Sequence, residues 1–281
     1  MVPQILKRPH ALSFAASGFL MYYQLGVVRA LKELAPEMIN SLSRVYGSSG
    51  GALVAAVITC DGDLDAFQEC LFKAVEDSRR SFWGPFSPFV GVFRTLKEGL
   101  IKNLSENSHQ KASGKLYLSL TRVSNLQNVM VSEYKSKEDL IEALMCSCFI
   151  PGYGGLIPPT YRGVRYMDGG FTNMQPCHDV EGVISISPFT GEIDICPRDS
   201  QALFSIVNIF GTTIQLSMGN FSRAFHAGFP PTITVMERYH SLGYQNAISF
   251  LLMTRDMKKS ITKISCSNST SPIKKVALDP A

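Results

Sequence analysis

Gly47-Ser48-Ser49-Gly50-Gly51 sets a serine among glycines at the spacing G-x-S-x-G. Between a strand and a helix, that spacing makes a turn too tight for side chains on the flanks of the serine. The turn lifts the Ser49 hydroxyl above the sheet and aims the first free N–H groups of the helix, those at Gly50 and beyond, at a developing oxyanion. Gly47 and Gly51 are the glycines such a turn needs. The pentapeptide alone is a weak signal, and its setting supplies the weight. Residues 43–46 read as a short strand before it, and residues 52–59 as a helix that is apolar on nearly every side after it. Ala16-Ser17-Gly18 repeats the arrangement one strand–helix unit earlier. Backbone N–H groups at a helix N-terminus form an anion site, so Ser17 and Gly18 are candidates for the second half of an oxyanion hole; close strand–helix packing would call for the same small residues. Asp168-Gly169-Gly170 follows a strand at residues 164–167. Its carboxylate therefore stands where α/β sheets place their sites, although D-G-G is also a common plain turn.

A nucleophilic serine needs a base. The histidines are His10, His109, His178, His226 and His240, and none lies in a motif. The order Ser49, Asp168, His178 suits a triad in which histidine comes last, yet His178 follows the aspartate by only ten positions. The alternative is a carboxylate that takes the serine proton directly, its pKa raised toward working pH by its surroundings. Residue pattern leaves the two arrangements balanced.

The elements that must position these residues alternate. Residues 11–15 read as a buried strand. Leu20, Tyr23, Val27, Leu31 and Leu34 then recur at helical spacing until Pro36 stops the helix. Residues 64–79 form an amphipathic helix, and 82–93, rich in Pro, Gly and Phe, a loop or lid-like insertion. Residues 115–121 and 127–134 read as neighbouring strands. Ser136 with Asp139 caps a helix that ends near Cys148. Residues 151–159 are irregular, 182–187 form a strand, and 201–225 and 242–253 read as helices. From residue 265 a Ser/Pro/Lys tail follows, of disordered composition. Alternation of this kind predicts a mainly parallel sheet covered on both faces, a three-layer α/β/α fold. The expected organisation is an N-terminal extension over residues 1–10, one domain over 11–260 and a disordered tail over 261–281.

Composition narrows the function classes. The chain has 281 residues, 45% of them hydrophobic, with 17 Phe, 10 Tyr and 11 Met, enough for one sizeable core. Mean hydropathy is +0.08, which suits a protein in contact with lipid and equally a large α/β core. A net charge of +4 without any arginine- or lysine-rich block speaks against nucleic acid as a partner. The seven cysteines are odd in number and irregular in spacing, so reduced, mostly buried thiols are expected, with no metal and no organic cofactor. Residues 1–10 contain no apolar run of the signal-peptide kind. The longest uncharged stretch, 200–222, is too polar to read as a membrane span, which leaves peripheral attachment.

Residues 13–20 (SFAASGFL), the GSSGG turn and residues 166–170 (YMDGG) resemble the three signature blocks of the patatin-like lipases. The resemblance covers nearly all of residues 12–253. Residues 146–151 (CSCFIP) and 156–166 (LIPPTYRGVRY) are similar to the adiponutrin and adipose triglyceride lipase group within that family. Residues 170–177 and 194–199 resemble the branch that forms acylceramides. The resemblance implies a Ser–Asp dyad without catalytic histidine, with Ser49 as nucleophile, Asp168 as base and the Ser17/Gly18 region as oxyanion hole. It further implies acyl transfer from triacylglycerol to an ω-hydroxyceramide. The alternatives are a triacylglycerol, phospholipid or retinyl ester lipase, and a catalytically weak lipid-droplet scaffold. The implied partners are neutral lipids, a membrane or lipid-droplet surface bound peripherally from the cytoplasm, and an α/β-hydrolase-fold coactivator protein. Where the adipose triglyceride lipase branch has glycines, this chain has Ala16 and Met21. Gly50 stands where alanine is usual, and the long proline-rich C-terminal region of the acylceramide-forming branch is not in this sequence.

Overall fold

Four short apolar runs, residues Ala11–Phe14 (β1), Arg44–Ser48 (β2), Leu116–Arg122 (β3) and Val183–Ile186 (β7), lie parallel in the order β7-β1-β2-β3. The computed structural model to which they belong describes residues 10–80, 91–199 and 206–268. Successive side chains of a strand point to opposite faces, and all four residues of β1 are buried. Both faces of the sheet are therefore covered, as the continuous apolar runs predict for a parallel sheet. The sheet is mixed and mostly parallel, as expected, with the remaining strands of the seven antiparallel. Asn128–Val131 (β4) and Val164–Asp168 (β6) run antiparallel to β3, and Thr160–Tyr161 (β5) runs antiparallel to β6. Their connections explain this: only five residues separate β3 from β4, too few for the crossover that a parallel pair requires.

One detail of the register positions the site. β2 pairs with β3 as far as Ser48↔Ser119, and β6 pairs with it from Leu120↔Asp168. β4 pairs along Leu118 to Thr121 and overlaps both partners. A strand has two edges, so β2 and β6 must share the edge opposite β4. The chain leaves that edge after Ser48 and Asp168 arrives on it at the next register position.

The helices follow from their patterns. Met21–Leu34 (α1) carries the heptad-like apolar face; Pro36 ends it and also opens a short second helix, Pro36–Asn40 (α2), where a missing N–H costs nothing. Every residue of Gly50–Thr59 (α3) is buried. Leu64–Arg80 (α4) is followed by Val92–Asn103 (α5) and Ser108–Ala112 (α6). The lid-like stretch 82–93 lies outside the described residues except for 91–93, where α5 begins. Lys137–Ser147 (α7) starts where expected: Ser136 Oγ accepts the Asp139 N–H at 3.2 Å, and Asp139 Oδ2 accepts the Lys135 N–H at 2.8 Å.

The expected helix over 201–225 is a correction. Residues Ile206–Ile209 (β8) and Thr212–Gln215 (β9) form an antiparallel hairpin, and only Met218–Gly228 (α8) is helical; residues 201–205 lie outside the described residues. The signal was in the sequence. Phe210-Gly211 takes positive φ at both positions, 47° and 82°, the geometry of a tight hairpin turn, and the flanks are rich in Ile, Val and Thr. Ile233–Asn268 (α9) is longer than the 242–253 helix expected and takes in residues 261–268 of the predicted tail. No proline stands between Pro231 and Pro272 to interrupt it. Residues 1–9 and 269–281 lie outside the described residues. α1 and α9 pack backbone to backbone: a Cβ at Gly26 would sit 1.9 Å from the His240 carbonyl oxygen, and one at Gly243 would sit 2.0 Å from that of Tyr23. Among the described residues, no helix is long and apolar enough to cross a membrane.

Candidate active site

Ser49 occupies the corner between β2 and α3 with φ 53° and ψ −130°, a conformation that costs a non-glycine residue about 1–3 kcal/mol. Three groups hold it there. Its N–H donates to Ser147 Oγ at 3.1 Å, and that hydroxyl donates in turn to the Ser119 carbonyl at 2.8 Å. The Ser49 carbonyl accepts the Ala52 N–H at 2.8 Å and the Cys148 thiol at 3.2 Å. Burial, and then the nearby Asp168 carboxylate, push that thiol well up, so it stays protonated and able to donate. Gly51 is required by close approach: a Cβ there would lie 2.3 Å from the Ala15 carbonyl oxygen. One at Gly47 would lie 2.6 Å from Ala52 Cα.

Because β2 and β6 share an edge of β3, the Ser49 hydroxyl meets the acidic side chain at the end of β6. Ser49 Oγ donates to Asp168 Oδ2 at 2.5 Å, and the Gly170 N–H donates to Oδ1 at 2.8 Å. The Asp168 backbone is fixed by its N–H to the Phe149 carbonyl at 2.7 Å and by Thr121 Oγ1 to its own carbonyl at 2.8 Å. Gly169 lets the chain turn against β3, since a Cβ there would lie 2.0 Å from the Ser119 carbonyl oxygen. Asp168 is buried. Burial raises its pKa from 3.8 to about 6, while the hydrogen bonds from Ser49 and Gly170 pull it back down. Among the described residues, the carboxylate's hydrogen-bond partners are Ser49 and Gly170. His178 directs its Nδ1 instead to the Gln175 carbonyl at 3.1 Å.

The Ala16-Ser17-Gly18 turn lies directly beside this pair. A Cβ on Gly50 would be 2.7 Å from the Gly18 carbonyl oxygen and 3.2 Å from the Gly18 nitrogen, so the two turns touch through their backbones. That contact accounts for glycine rather than alanine at position 50, against its lower helix propensity. Gly18 has φ 50°; Ala16 is not among the residues with positive φ, so its Cβ meets no left-handed strain. Ser17 Oγ donates to Gln24 Oε1 at 3.0 Å, and Gln24 Nε2 donates to the Ala15 carbonyl at 2.9 Å. The Ser49 side chain makes no capping bond to α3, which leaves the first N–H groups of that helix, at Gly50 and Gly51, without a side-chain cap. Met21 is buried at the start of α1. Among the described residues, no cluster of three or more His, Cys, Asp or Glu side chains could hold a metal ion.

Residue-by-residue reasoning missed Gln24, Ser119, Thr121, Ser147 and Cys148. Gln24 did carry a signal: it is a polar residue between Tyr23 and Leu25 on a helix segment otherwise buried. Ser147 and Cys148 lie in a stretch recognised only through its resemblance, and nothing local marks their hydroxyl and thiol as supports of a turn about a hundred residues earlier.

Sheet, strand–helix serine turn and D-G-G turn together define a class, the α/β proteins of the patatin fold. The family model of patatin-like phospholipases matches residues 12–180, more than half of the sequence, and the chain belongs to this family of lipid acyl hydrolases and acyltransferases. Among its relatives, the omega-hydroxyceramide transacylase of Homo sapiens is 47% identical over 243 residues, 86% of this chain and 46% of the relative. Patatin-like phospholipase domain-containing protein 2 of Homo sapiens is 39% identical over 85% of this chain and 48% of its own length. A 1-acylglycerol-3-phosphate O-acyltransferase of Homo sapiens is 40% identical over 87% of this chain and 51% of its own length. The chain thus spans about half the length of these relatives.

Proposed function

We propose that the protein is a serine-type acyltransferase or acylhydrolase of neutral lipids, with Ser49 as nucleophile and Asp168 as its base. The observation that carries this reading is the direct Ser49–Asp168 hydrogen bond to a carboxylate raised to about 6, ionised at neutral pH yet basic enough to take a proton. Asp168 removes the Ser49 proton as Oγ forms a bond to the ester carbonyl carbon. Backbone N–H groups of the Ser17/Gly18 and Gly50 turns receive the negative charge that develops on the carbonyl oxygen. Collapse breaks the ester C–O bond, and the leaving alcohol takes the proton back from Asp168. An acyl-Ser49 intermediate remains; a second hydroxyl, of water or of a lipid alcohol, gives its proton to Asp168 as its oxygen bonds to the acyl carbon, the Ser49 Oγ–acyl bond breaks, and Ser49 Oγ takes the proton back from Asp168.

For the finer identity we infer transfer of a fatty acyl group from triacylglycerol to an ω-hydroxyceramide, on the 47% identity to a transacylase of that name. We place the enzyme peripherally at a lipid surface facing the cytoplasm, its domain occupying residues 11–260. The test supplies triolein with and without ω-hydroxyceramide and quantifies free oleate and acylceramide. Acylceramide formation that is lost in Ser49→Ala supports the transacylase; free oleate alone, equally dependent on Ser49, selects the lipase; neither product overturns the reading.

A further inference from the structure

Helix α8 is turned inside out. Its inward face is polar: Asn220 Nδ2 donates to the carbonyls of Thr190 at 2.8 Å and Gln215 at 2.7 Å, and Asn220 Oδ1 accepts the Thr190 N–H at 2.9 Å. Arg223, also buried, donates to Thr190 Oγ1 at 2.9 Å and forms an ion pair with Asp199 at 2.5 Å. Ser217 caps the helix by accepting the Asn220 N–H at 3.0 Å and is hydrogen-bonded to Asp199. These satisfied buried groups set the rotation of α8 about its axis, and the rotation turns the apolar side chains outward. Met218 is 75% exposed, Phe221 63% and Phe225 60%, spaced at i, i+3 and i+7 along one stripe. A surface helix packed on a soluble core ordinarily turns its apolar stripe inward and its polar residues outward.

The stripe borders the Ser49 site. Gly18 approaches α8 so closely that a Cβ would lie 2.1 Å from the Ala227 carbonyl oxygen. On the other side of the same turn, the Ala16 N–H donates to the Met174 carbonyl at 2.8 Å, and the Met174 N–H donates to the carbonyl of Phe210 at 3.0 Å. Phe210 is the hairpin tip between β8 and β9, and its ring is 51% exposed. From residue 200 to residue 236 the sequence has one formal charge, that of Arg223, and it is spent inward on Asp199.

We propose that the outer face of α8, together with the tip of the β8–β9 hairpin, seats the protein on an uncharged lipid surface with the Ser17/Gly18 turn at that surface. The choice of partner rests on the lipid-ester reading above. Two further features favour lipid over a protein. The four side chains offer on the order of 500 Å², short of the ~800 Å² per partner in a stable protein interface. Protein interfaces also carry a polar rim around their apolar core, whereas this stretch carries no outward charge.

The test is flotation with phosphatidylcholine-coated triolein particles, which bear no net charge. The wild type floats, and raising the salt from 0.05 to 0.5 M (roughly a threefold shortening of the screening length) leaves flotation unchanged. Phe221→Ser/Phe225→Ser lowers the bound fraction by roughly tenfold per phenylalanine and lowers triolein turnover with it. Phe221→Trp/Phe225→Trp floats like the wild type. All three forms hydrolyse a water-soluble short-chain ester at one rate, which shows the fold and the Ser49 site intact. Flotation of the double serine variant at wild-type level overturns the proposal, as does a salt-labile attachment. A wild-type dimer that the serine pair converts to monomers also overturns it, assigning the stripe to a second copy. Absence of soluble-ester hydrolysis in every form contradicts the catalytic reading instead, and flotation still reports on the surface.

Discussion

At the scale of single residues, the site sets two destabilising features against each other: a serine in a left-handed conformation and a carboxylate buried from water. Because Asp168 is raised above its unfolded value of 3.8, the folded chain binds that proton more tightly than the unfolded chain. The group's contribution to stability is therefore fully present below about pH 4 and is lost as pH rises through about 6. Asp168→Asn removes the charge: its Oδ1 still accepts the Gly170 N–H, and its Nδ2 donates to Ser49 Oγ in place of the bond the carboxylate accepted. It should unfold at higher denaturant than the wild type at pH 8, by up to about 3 kcal/mol, and the gap should close near pH 4. The same variant should lose ester turnover, whereas His178→Ala should retain most of it, because His178 is committed to Gln175. Ser147→Ala strands the buried Ser49 N–H. It should cost about 1–3 kcal/mol in urea unfolding and lower kcat more than it raises KM, since it displaces Ser49, the proposed nucleophile, and leaves the proposed lipid-binding face unchanged. The serine and aspartate were readable because glycines mark both turns. Gln24, Ser147 and Cys148 were not, because a supporting hydrogen bond imposes no local pattern on its donor.

At the scale of elements, the decisive event is the handover along one edge of β3, where β2 departs and β6 takes its place. The strands themselves were visible as short apolar runs. Their directions were not: the antiparallel β4 and β6 look like any other apolar run, and only the short β3–β4 connection argues against a parallel pair. The 201–225 region misled for a related reason, since an uncharged apolar stretch satisfies helix and hairpin templates alike until the Phe210-Gly211 turn is weighed. Packing between elements depends on small residues as much as large ones. Gly243→Ala would push a methyl against the Tyr23 carbonyl and force α9 off α1. The expected loss is about 1–3 kcal/mol, read as a lower urea midpoint, and a neutral outcome would show that α9 can shift without cost.

At the scale of the molecule, sheet and helices serve to bring residues 49 and 168, 119 positions apart, into one hydrogen bond beside the Ser17/Gly18 turn. The three blocks that carry the resemblance are the three turns that meet there, which is why the family could be read from them while helix ends and strand directions could not. Reaction of the wild type with a fluorophosphonate, followed by peptide mapping, tests this account most directly. A single adduct on Ser49 is expected, formed at a rate that falls with a midpoint near pH 6 as Asp168 takes up a proton, with little reaction in Asp168→Asn. An adduct on another residue, or equal labelling of Ser49 in the wild type and Asp168→Asn across that pH range, would contradict it.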